Sequence, residues 1–331
     1  MTKKKITIKD VAKHSGMSIA TVSQILNGKE SSFNPDTVKK VMASRDELNY
    51  KPNYFAQSMI GKKSKTIGVL VPDITNPFFS NLIRGIESVL YDKNFITMLC
   101  NADLDEEKEN EYLEELSRRG VDGFIIASSA ISNKAIRENL EMKNLPFIVL
   151  DQKKAEGLSD AVFTDDFLGG QLAATHLKEL GHEKVAVVMP VRATANIKNR
   201  LEGFRSIYQT NLVVVDTELS KSGGREAVDR ILMTDVTGIF AINDEIAFGL
   251  YFGLGEKGKS IPDDYSIIGY DNVDMCEYVS PKLTTIAQPI VELGKVTAEI
   301  LLERIETPDK ERVEKTLPVK LIKRFSTTHL K

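Results

Sequence analysis

Polar side chains follow several short apolar runs of this sequence, at places where they can bind a small molecule. They are Asn76 after the first run, Asp151 after the fourth, Asn243 and Asp244 in AIND, Asp271 in IGYDN and Gln288 in TTIAQP. Two aromatic residues, Phe78 and Phe79, stand beside Asn76. Carboxylates and amides exchange hydrogen bonds with hydroxyl groups, and phenyl rings pack on the C–H face of a sugar. The set therefore favours a sugar ligand, although each member alone also suits a helix cap or a turn.

Catalytic chemistry has less support in the sequence. No G-x-G-x-x-G motif, P-loop or metal-spaced cluster of His and Cys occurs, and the four histidines are scattered. Asp151 and Asp271 are the pair of carboxylates that a sugar hydrolase would use. We expect a protein that is not an enzyme and that holds no metal or cofactor.

Eight runs rich in Val and Ile alternate with longer amphipathic segments. They are TIGVLVP, FITMLCN, GFIIAS, PFIVLD, VAVVMP, LVVVD, GIFAIND and YSIIGYD. This alternation predicts parallel β-sheets with helices on both faces, and the wide spacing of eight strands predicts two sheets. Ligands of such sheets bind beyond the carboxyl ends of the strands, which is where the polar residues stand.

Length and composition limit the classes of protein that fit. A chain of 331 residues predicts two or three domains. No run approaches the roughly 20 apolar residues that span a bilayer. The start, MTKKKITIKD, has positive charge without a following apolar segment, so we expect no secretory signal and a cytoplasmic protein. The two cysteines, Cys100 and Cys276, stand in apolar segments, as is typical of reduced thiols.

Charge is divided unevenly along the chain. Residues 1–65 hold 13 Lys and Arg against 5 Asp and Glu, a net charge of +8, and the rest of the chain has a net charge of −11. Two interpretations fit equally well: a solvated lysine-rich end, or a nucleic-acid-binding head on an acidic body. The local pattern has to decide between them.

The first 50 residues predict three short helices. Thr7 and Asp10 form a capping box for a helix from Ile8 to about His14 that ends at Gly16, and Ser18 caps a second helix. A third helix begins at Asn34-Pro35. The second and third helices share one small predicted core, made of Val22, Ile25, Leu26, Val38, Val41, Met42 and Leu48.

The outward face of the second helix suits a DNA major groove. Its residues are small or hydrogen-bonding and include no acid: Ile19, Ala20, Thr21, Ser23, Gln24 and Asn27. In a helix-turn-helix this face reaches base edges, where Gln pairs with adenine and apolar side chains meet thymine methyl groups. The surrounding lysines would contact phosphates.

The segment TIKDVAKHSGMSIATVSQILNG resembles the DNA-binding head of the lactose-repressor (LacI/GalR) family. The resemblance implies that Ile19 and Ala20 select the operator, with support from Thr21, Ser23, Gln24 and Asn27 and further contacts from Thr7 and Ser18. Gln24 replaces the arginine common at its position, so we expect an altered preference at that base pair.

Residues 51–64 lie between this head and the first strand, and alone they fit a flexible linker. A helix of about seven residues, capped by Asn53 and ended by Gly61, is too short to be stable without a partner. The resemblance implies a hinge helix that orders on the operator and wedges the minor groove open. Its contacts would come from Tyr54, Ala56, Gln57 and Met59, with Met59 in the place of the family's leucine.

Residues 65–325 resemble periplasmic sugar-binding proteins and the effector domains of the same family. The motifs DITNPFF, NRLEGF, FAINDE, IGYDN and TTIAQP are most similar to those of ribose-operon repressors. The resemblance implies D-ribose as the effector and stacking of its ring on Phe78 and Phe79. It also implies hydroxyl contacts from Asn76, Asp151, Arg200, Asn243, Asp271 and Gln288.

We therefore expect a small all-α helix-turn-helix head and an α/β, two-lobed, periplasmic-binding-protein-like core of parallel sheets with helices on both faces. The expected domains are a head at 1–50, a hinge at 51–64 and a core at 65–331. The first lobe would take about 66–161 plus 290–322, and the second about 162–289. The helix opened by Asn76-Pro77 would place its apolar face, Leu82, Ile83, Ile86 and Val89, in a homodimer interface.

The function expected from these features is a homodimeric transcription repressor of a sugar-utilisation operon, released from double-stranded operator DNA by the sugar. A carbon-catabolite regulator with a phosphorylated carrier protein as co-repressor is the alternative within this class. A purine corepressor fits the hydroxyl-binding set less well. A sugar-binding transport component does not explain the DNA-binding head, and no membrane partner is expected.

Overall fold

The computed structural model describes residues 6–51, 64–128, 132–150 and 157–330. The chain divides into two units, Met1–Ser64 and Lys65–Lys331. The described part of the first unit holds α1 (Ile8–Ser15), α2 (Ile19–Leu26), a 3₁₀ turn (Glu30–Ser32) and α3 (Pro35–Glu47).

The predicted starts and ends of these helices are confirmed. Asp10 Oδ2 accepts hydrogen bonds from Thr7 N (2.8 Å) and Thr7 Oγ1 (2.7 Å). Gly16 ends α1 in the left-handed region at φ 69°, and Ser18 Oγ accepts from Thr21 N at 3.1 Å to cap α2. The turn between α1 and α2 is therefore fixed by local hydrogen bonds and by one glycine.

The three helices of the first unit pack around a small core. Val11, Val22, Ile25 and Val41 are fully buried in it. The other positions predicted for this core pack around them as partly buried side chains: Leu26, Val38, Met42 and Leu48. The apolar face of α2 is therefore used inside the unit, and its polar face is left outside.

The described residues of the second unit form two six-stranded sheets, each the centre of one lobe. The first sheet has the order β11-β5-β4-β3-β1-β2 and the second β12-β10-β9-β8-β6-β7. Every strand pair is parallel except β10 with β12. Central strands such as β1 and β9 are buried at every position, as expected for sheets covered by helices on both faces.

The elements of the first lobe are β1 (Thr66–Val71), α4 (Pro77–Asp92), β2 (Ile96–Asn101), α5 (Glu106–Arg118), β3 (Gly123–Ile126), α6 (Asn133–Ile136, continued by a π-helical turn Arg137–Glu141), β4 (Phe147–Leu150), β5 (Asp160–Thr164), α11 (Ile290–Glu306) and β11 (Glu314–Leu317). Those of the second are α7 (Asp166–Glu179), β6 (Val185–Pro190), α8 (Ala195–Arg205), β7 (Leu212–Thr217), α9 (Lys221–Ile231), β8 (Gly238–Ala241), α10 (Asp244–Glu256), β9 (Ser266–Asp271), a 3₁₀ turn (Asp274–Glu277), β10 (Thr284–Ala287) and β12 (Lys320–Ile322).

Within the described residues, the chain passes between the lobes three times. The first crossing (residues 164–166) joins β5 to α7, the second (287–290) joins β10 to α11, and the third (317–320) joins β11 to β12. The eight predicted strands are β1–β4 and β6–β9. The four that were not predicted, β5, β10, β11 and β12, all border a crossing.

Two expected lobe boundaries differ from the structure. β5 continues to Thr164 in the first sheet, beyond the expected limit at 161. β12 belongs to the second sheet, because Ile286 pairs with Leu321, so the first lobe does not extend to 322. The physical reason is the third crossing, which returns the chain to the edge of the second sheet after only four residues of β11.

Part of the apolar face of α4 that was expected in a homodimer interface is used inside the lobe. Leu82 and Ile86 are buried in a core shared with α11, and a Cβ at Gly85 would overlap the Val291 carbonyl. Ile83 and Val89 are partly buried against the same core. This face therefore joins two helices of the same lobe.

Close helix packing also fixes the position of α8. A Cβ at Gly170 of α7 would overlap the Arg200 carbonyl, and a Cβ at Gly203 of α8 would overlap the Phe167 carbonyl. Only glycine at both positions permits this approach of α7 to α8. The motif NRLEGF thus owes its glycine to packing that places Arg200.

A buried histidine makes the stability of the second unit depend on pH. His176 of α7 is 5% exposed, and its Nε2 lies 3.0 Å from Thr327 Oγ1. Burial lowers the pKa of His176 to about 4, with a further contribution from Lys323. The folded chain favours the neutral ring of His176. The stability that depends on this neutral form is therefore fully present above pH 6.5 and is lost as the pH falls towards 4.

We expect His176→Gln to remove part of this acid sensitivity. Between pH 7 and pH 4.5 the wild type should lose about 1–2 kcal/mol more of its free energy of unfolding than the variant does. Urea denaturation at several pH values measures the difference. His14→Gln, at an exposed histidine of the first unit, is the control. Parallel pH curves for the wild type and His176→Gln would contradict this explanation.

Candidate functional site

A cleft of the second unit gathers the residues predicted to bind a ligand. It encloses about 350 Å³, including its open mouth. Its lining consists of Asn76, Phe78, Phe79, Asn196, Ile197, Arg200, Leu219, Asn243, Asp271 and Gln288. Seven of the eight predicted effector residues therefore lie around one space. The eighth, Asp151, lies outside the described residues.

The first lobe contributes the start of α4 to the cleft. Asn76 Oδ1 accepts a hydrogen bond from Phe78 N at 2.9 Å, so the residue caps its helix and lines the cleft as well. The rings of Phe78 and Phe79 meet edge to face, with centroids 5.1 Å apart and an interplanar angle of 83°. Both rings are nearly buried, so they form a rigid apolar wall.

Among the described residues that line the cleft, Arg200 of the second lobe carries the positive charge, and it is 4% exposed. Its Nε donates to Asp166 Oδ1 at 2.8 Å, and its Nη1 donates to the Ile242 carbonyl at 2.9 Å. Asp271 Oδ1 lies 4.0 Å from Nη1. The guanidinium also stacks 3.7 Å from the centre of the Tyr270 ring. These partners neutralise a charge that burial alone would make very costly.

Tyr270 and Asp166 belong to the same network. The Tyr270 hydroxyl donates to Asp166 Oδ1 at 3.1 Å, so one carboxylate oxygen holds both the ring and the guanidinium. Neither residue was predicted as part of the site. The signal in the sequence was Arg200 itself, since an arginine inside a buried helix requires an acidic partner.

Asp271 ends β9 in a strained backbone conformation. Its φ is 120°, a strained value that non-glycine residues adopt rarely. Asn272 follows at φ 62°, in the left-handed region that asparagine tolerates. Gln288 Nε2 donates to Asp271 Oδ1 at 2.7 Å, and Gln288 Oε1 accepts from Thr164 Oγ1 at 2.7 Å. The Gln288 amide is thus held from both ends beside the cleft.

Asn243 and Asp244 separate into different environments. Asn243 lines the cleft, and its Oδ1 caps α10 by accepting from Ile246 N at 3.0 Å. Asp244 is fully buried among Thr285 Oγ1 (2.7 Å), Val273 N (3.0 Å) and Cys276 Sγ (3.1 Å). Burial raises the pKa of the Asp244 carboxyl. This residue therefore holds loops together and does not line the cleft.

Three lining residues were missing from the prediction. Asn196 stands one helical turn before Arg200 on α8, and Ile197 comes directly after Asn196. Leu219 precedes α9. The spacing of Asn196 and Arg200 places them on one face of the helix, and this was the available signal. Leu219 follows a strand and is itself apolar, so its place in the cleft was not predictable from the sequence.

The first unit presents the predicted DNA-contacting surface on α2. Ser18, Ile19, Ala20, Gln24 and Asn27 are exposed, and Thr21 and Ser23 are partly exposed. Ile19 is 46% exposed although it is a large apolar residue. Thr7 is exposed at the start of α1. The four hinge residues predicted to contact DNA, Tyr54, Ala56, Gln57 and Met59, lie outside the described residues.

Two features are absent from the described residues. None of their helices combines the length and the hydropathy that a bilayer span requires. No group of three or more His, Cys, Asp or Glu side chains is placed to hold a metal ion.

Two family models match the chain. "Bacterial regulatory proteins, lacI family" matches residues 7–53, and "Periplasmic binding proteins and sugar binding domain of LacI family" matches residues 64–325. The chain belongs to the LacI family. Membership confirms the predicted helix-turn-helix head, the two-lobed α/β core and the role of a DNA-binding transcription regulator. The family is one of transcription regulators and not of enzymes, as expected.

Curated LacI family relatives match nearly the whole chain. The Ribose operon repressor of Halalkalibacterium halodurans is 35% identical over 97% of this chain and 97% of its own length. The HTH-type transcriptional repressor PurR of Photobacterium profundum is 36% identical over 92% of this chain and 94% of its own length.

Solved structures of the LacI family show the same architecture. A LacI family transcriptional regulator from Enterococcus faecalis, solved with bound ribose, is 68% identical, covers 80% of this chain and 100% of its own, and has a TM-score of 0.78. The lac repressor dimer bound to operator is 26% identical, covers 98% of this chain and 100% of its own, and has a TM-score of 0.86.

We expect Asp166→Asn to destabilise the second unit, because it removes the nearest negative charge from a buried guanidinium. The free energy of unfolding should fall by about 3 kcal/mol. Glu202→Gln is the matched control on α8, since Glu202 pairs with Arg205 at the surface, and it should change stability by less than about 1 kcal/mol. Urea denaturation compares the two variants, and equal effects would contradict the importance of the buried pair.

Proposed function

We propose that this LacI family regulator is a homodimeric, cytoplasmic repressor of a ribose-utilisation operon, released from its operator by D-ribose. The observation that supports ribose most directly is the ribose-bound regulator that is 68% identical over 80% of this chain. The Ribose operon repressor that matches 97% of the chain supports the same class of operon.

The chemistry of the cleft supports a neutral sugar. Asn76, Asn243 and Gln288 supply amides that both donate to and accept from hydroxyls, and Asp271 supplies a carboxylate acceptor. Phe78 and Phe79 supply the apolar surface on which C–H groups of a sugar ring pack. Asp151, predicted as a further hydroxyl acceptor, remains part of this proposal.

Charge makes a phosphorylated sugar a poor fit. Within the described residues, Arg200 is the cation of the cleft, and it is already balanced by Asp166 and lies 4.0 Å from Asp271. Among these described residues an added phosphate would meet no excess of positive charge, and burying it there would be costly. The effector is therefore the free pentose and not its phosphate ester.

The head supplies the DNA contacts of the proposal. α2 would enter the major groove with Ile19 and Ala20 against base edges, supported by Thr21, Ser23 and Gln24. Thr7, Ser18 and Asn27 add contacts at the helix ends. The hinge at 51–64, with Tyr54, Ala56, Gln57 and Met59, would order on the operator and open its minor groove.

Dimerisation and release complete the mechanism. The likeness to a lac repressor dimer on its operator supports two heads on one near-palindromic site. Sugar would bind the closed lobes more tightly and DNA the open ones, so the two ligands oppose each other through a coupling of about 1–3 kcal/mol. This coupling is reciprocal, so operator DNA weakens sugar binding by the same factor.

Purine control is the second candidate, because a repressor named for purines is 36% identical over 92% of the chain. Hydroxyl-binding residues line the cleft, and this favours ribose over a purine base. A catabolite regulator would instead require a phosphorylated carrier protein as co-repressor.

Calorimetric titration of the full chain separates these candidates. We expect D-ribose to bind with one site per chain, and D-ribose 5-phosphate, hypoxanthine and guanine to show no measurable heat at the same concentrations. L-arabinose and D-xylose serve as matched pentoses with altered hydroxyl geometry. Binding of a purine without ribose would replace the proposal by purine control, and silence with every ligand would favour the catabolite regulator.

A further inference from the structure

The three crossings between the lobes meet at one residue, Thr164. This residue is the last of β5 and begins the first crossing. Its backbone pairs with Leu317, where the third crossing begins, and the next residue continues the contact through a hydrogen bond from Asp165 N to the Leu317 carbonyl (3.1 Å). Its hydroxyl donates to Gln288 Oε1, in the second crossing, at 2.7 Å.

The bond to Gln288 connects this junction with the cleft. Gln288 lines the cleft and donates through Nε2 to Asp271 Oδ1 at 2.7 Å, and its backbone N donates to the Asp271 carbonyl at 3.4 Å. Thr164 does not line the cleft itself. All three side chains are at least nine-tenths buried, so water does not readily replace one of these hydrogen bonds.

We propose that Thr164 is a positioning residue that orients the Gln288 amide for the effector and links the occupied cleft to the hinge. The inference rests on the proposed function, because it assigns the sugar to Gln288 and Asp271. With Oε1 held by the Thr164 hydroxyl, Nε2 is the end of the amide that faces Asp271. A sugar contacting this pair is therefore linked to the first crossing through one hydroxyl, and the backbone pairing of Thr164 with Leu317 extends this link to the third crossing.

Removal of the hydroxyl has a defined consequence. In Thr164→Val the shape of the side chain is kept, but Gln288 Oε1 loses a donor in a buried place, which is unfavourable. The amide then gains freedom to rotate towards another donor, and its Nε2 leaves Asp271. The effector loses a preorganised partner, and the second crossing loses its tie to the first.

The test uses three variants of the full chain. Thr164→Val removes the hydroxyl, Thr164→Ser keeps it, and Thr297→Val removes a buried hydroxyl of α11 that bonds within its own helix (Thr297 Oγ1 to the Leu293 carbonyl, 2.7 Å). The readouts are the D-ribose Kd by calorimetry, the ratio of operator Kd with and without saturating ribose, and hydrogen exchange of the three crossings without sugar.

We expect Thr164→Val to weaken ribose binding by about tenfold, the equivalent of one buried hydrogen bond, and to reduce the operator ratio. Exchange should become faster at 164–166 and 287–290. Thr164→Ser should restore ribose affinity and exchange to near wild-type values, and Thr297→Val should lower thermal stability without changing ribose affinity more than about twofold.

Two outcomes would overturn the inference. One is a Thr164→Val variant with wild-type ribose affinity and wild-type exchange. The other is an equal loss of affinity in Thr164→Val and Thr297→Val, which indicates general destabilisation. If the wild type itself does not bind ribose, the proposed function fails, and exchange alone decides: faster exchange in Thr164→Val supports the hinge link, and unchanged exchange rejects it.

Discussion

The guanidinium of Arg200 lines the cleft and has almost no contact with water. A charge in that position is stable only when its partners are close and correctly placed. Asp166, Tyr270 and the Ile242 carbonyl meet this requirement. Gly170 and Gly203 let α7 approach α8 closely enough for Asp166 and Arg200 to meet. The geometry of the cleft follows from that approach.

The same constraint explains how the cleft serves a neutral ligand. Asp166 and the Ile242 carbonyl take up donors of Arg200, so the charge is largely satisfied before a ligand arrives. Gln288 is likewise held between Thr164 and Asp271. Polar groups that are fixed in advance lose little entropy when they bind hydroxyls. A preorganised wall of this kind favours discrimination between sugars that differ in one hydroxyl.

Much of this arrangement was accessible from the sequence, for physical reasons that can be named. The strands with apolar residues on both faces, such as GVLV and SIIG, were predicted because burial on two sides leaves an unmistakable composition. The polar residues at their ends were predicted because parallel strands bring their carboxyl ends to one edge. Ser18 and Gly16 were recognised because helix caps depend on the local chain alone.

The features that were missed depend on distant parts of the chain. β11 and β12 are short edge strands with exposed residues, so composition does not distinguish them from loops. Leu82 and Ile86 form an apolar face whose partner, α11, is more than 200 residues away in the sequence. In the sequence Asp244 looks like a ligand-binding residue, but in the structure its carboxylate is bonded to Thr285 and Cys276. In each case the residue types could be interpreted from the sequence, but the distant residues that they contact could not be identified from it.

The central claim is that sugar in the cleft lowers the affinity of the chain for its operator. The most direct measurement is the equilibrium Kd of the full chain for a duplex that it selects from a random pool, by fluorescence anisotropy at fixed salt, without and with saturating D-ribose. We predict that ribose raises this Kd by about 5- to 150-fold. A Kd that stays constant or falls, while calorimetry shows ribose bound, would contradict the account.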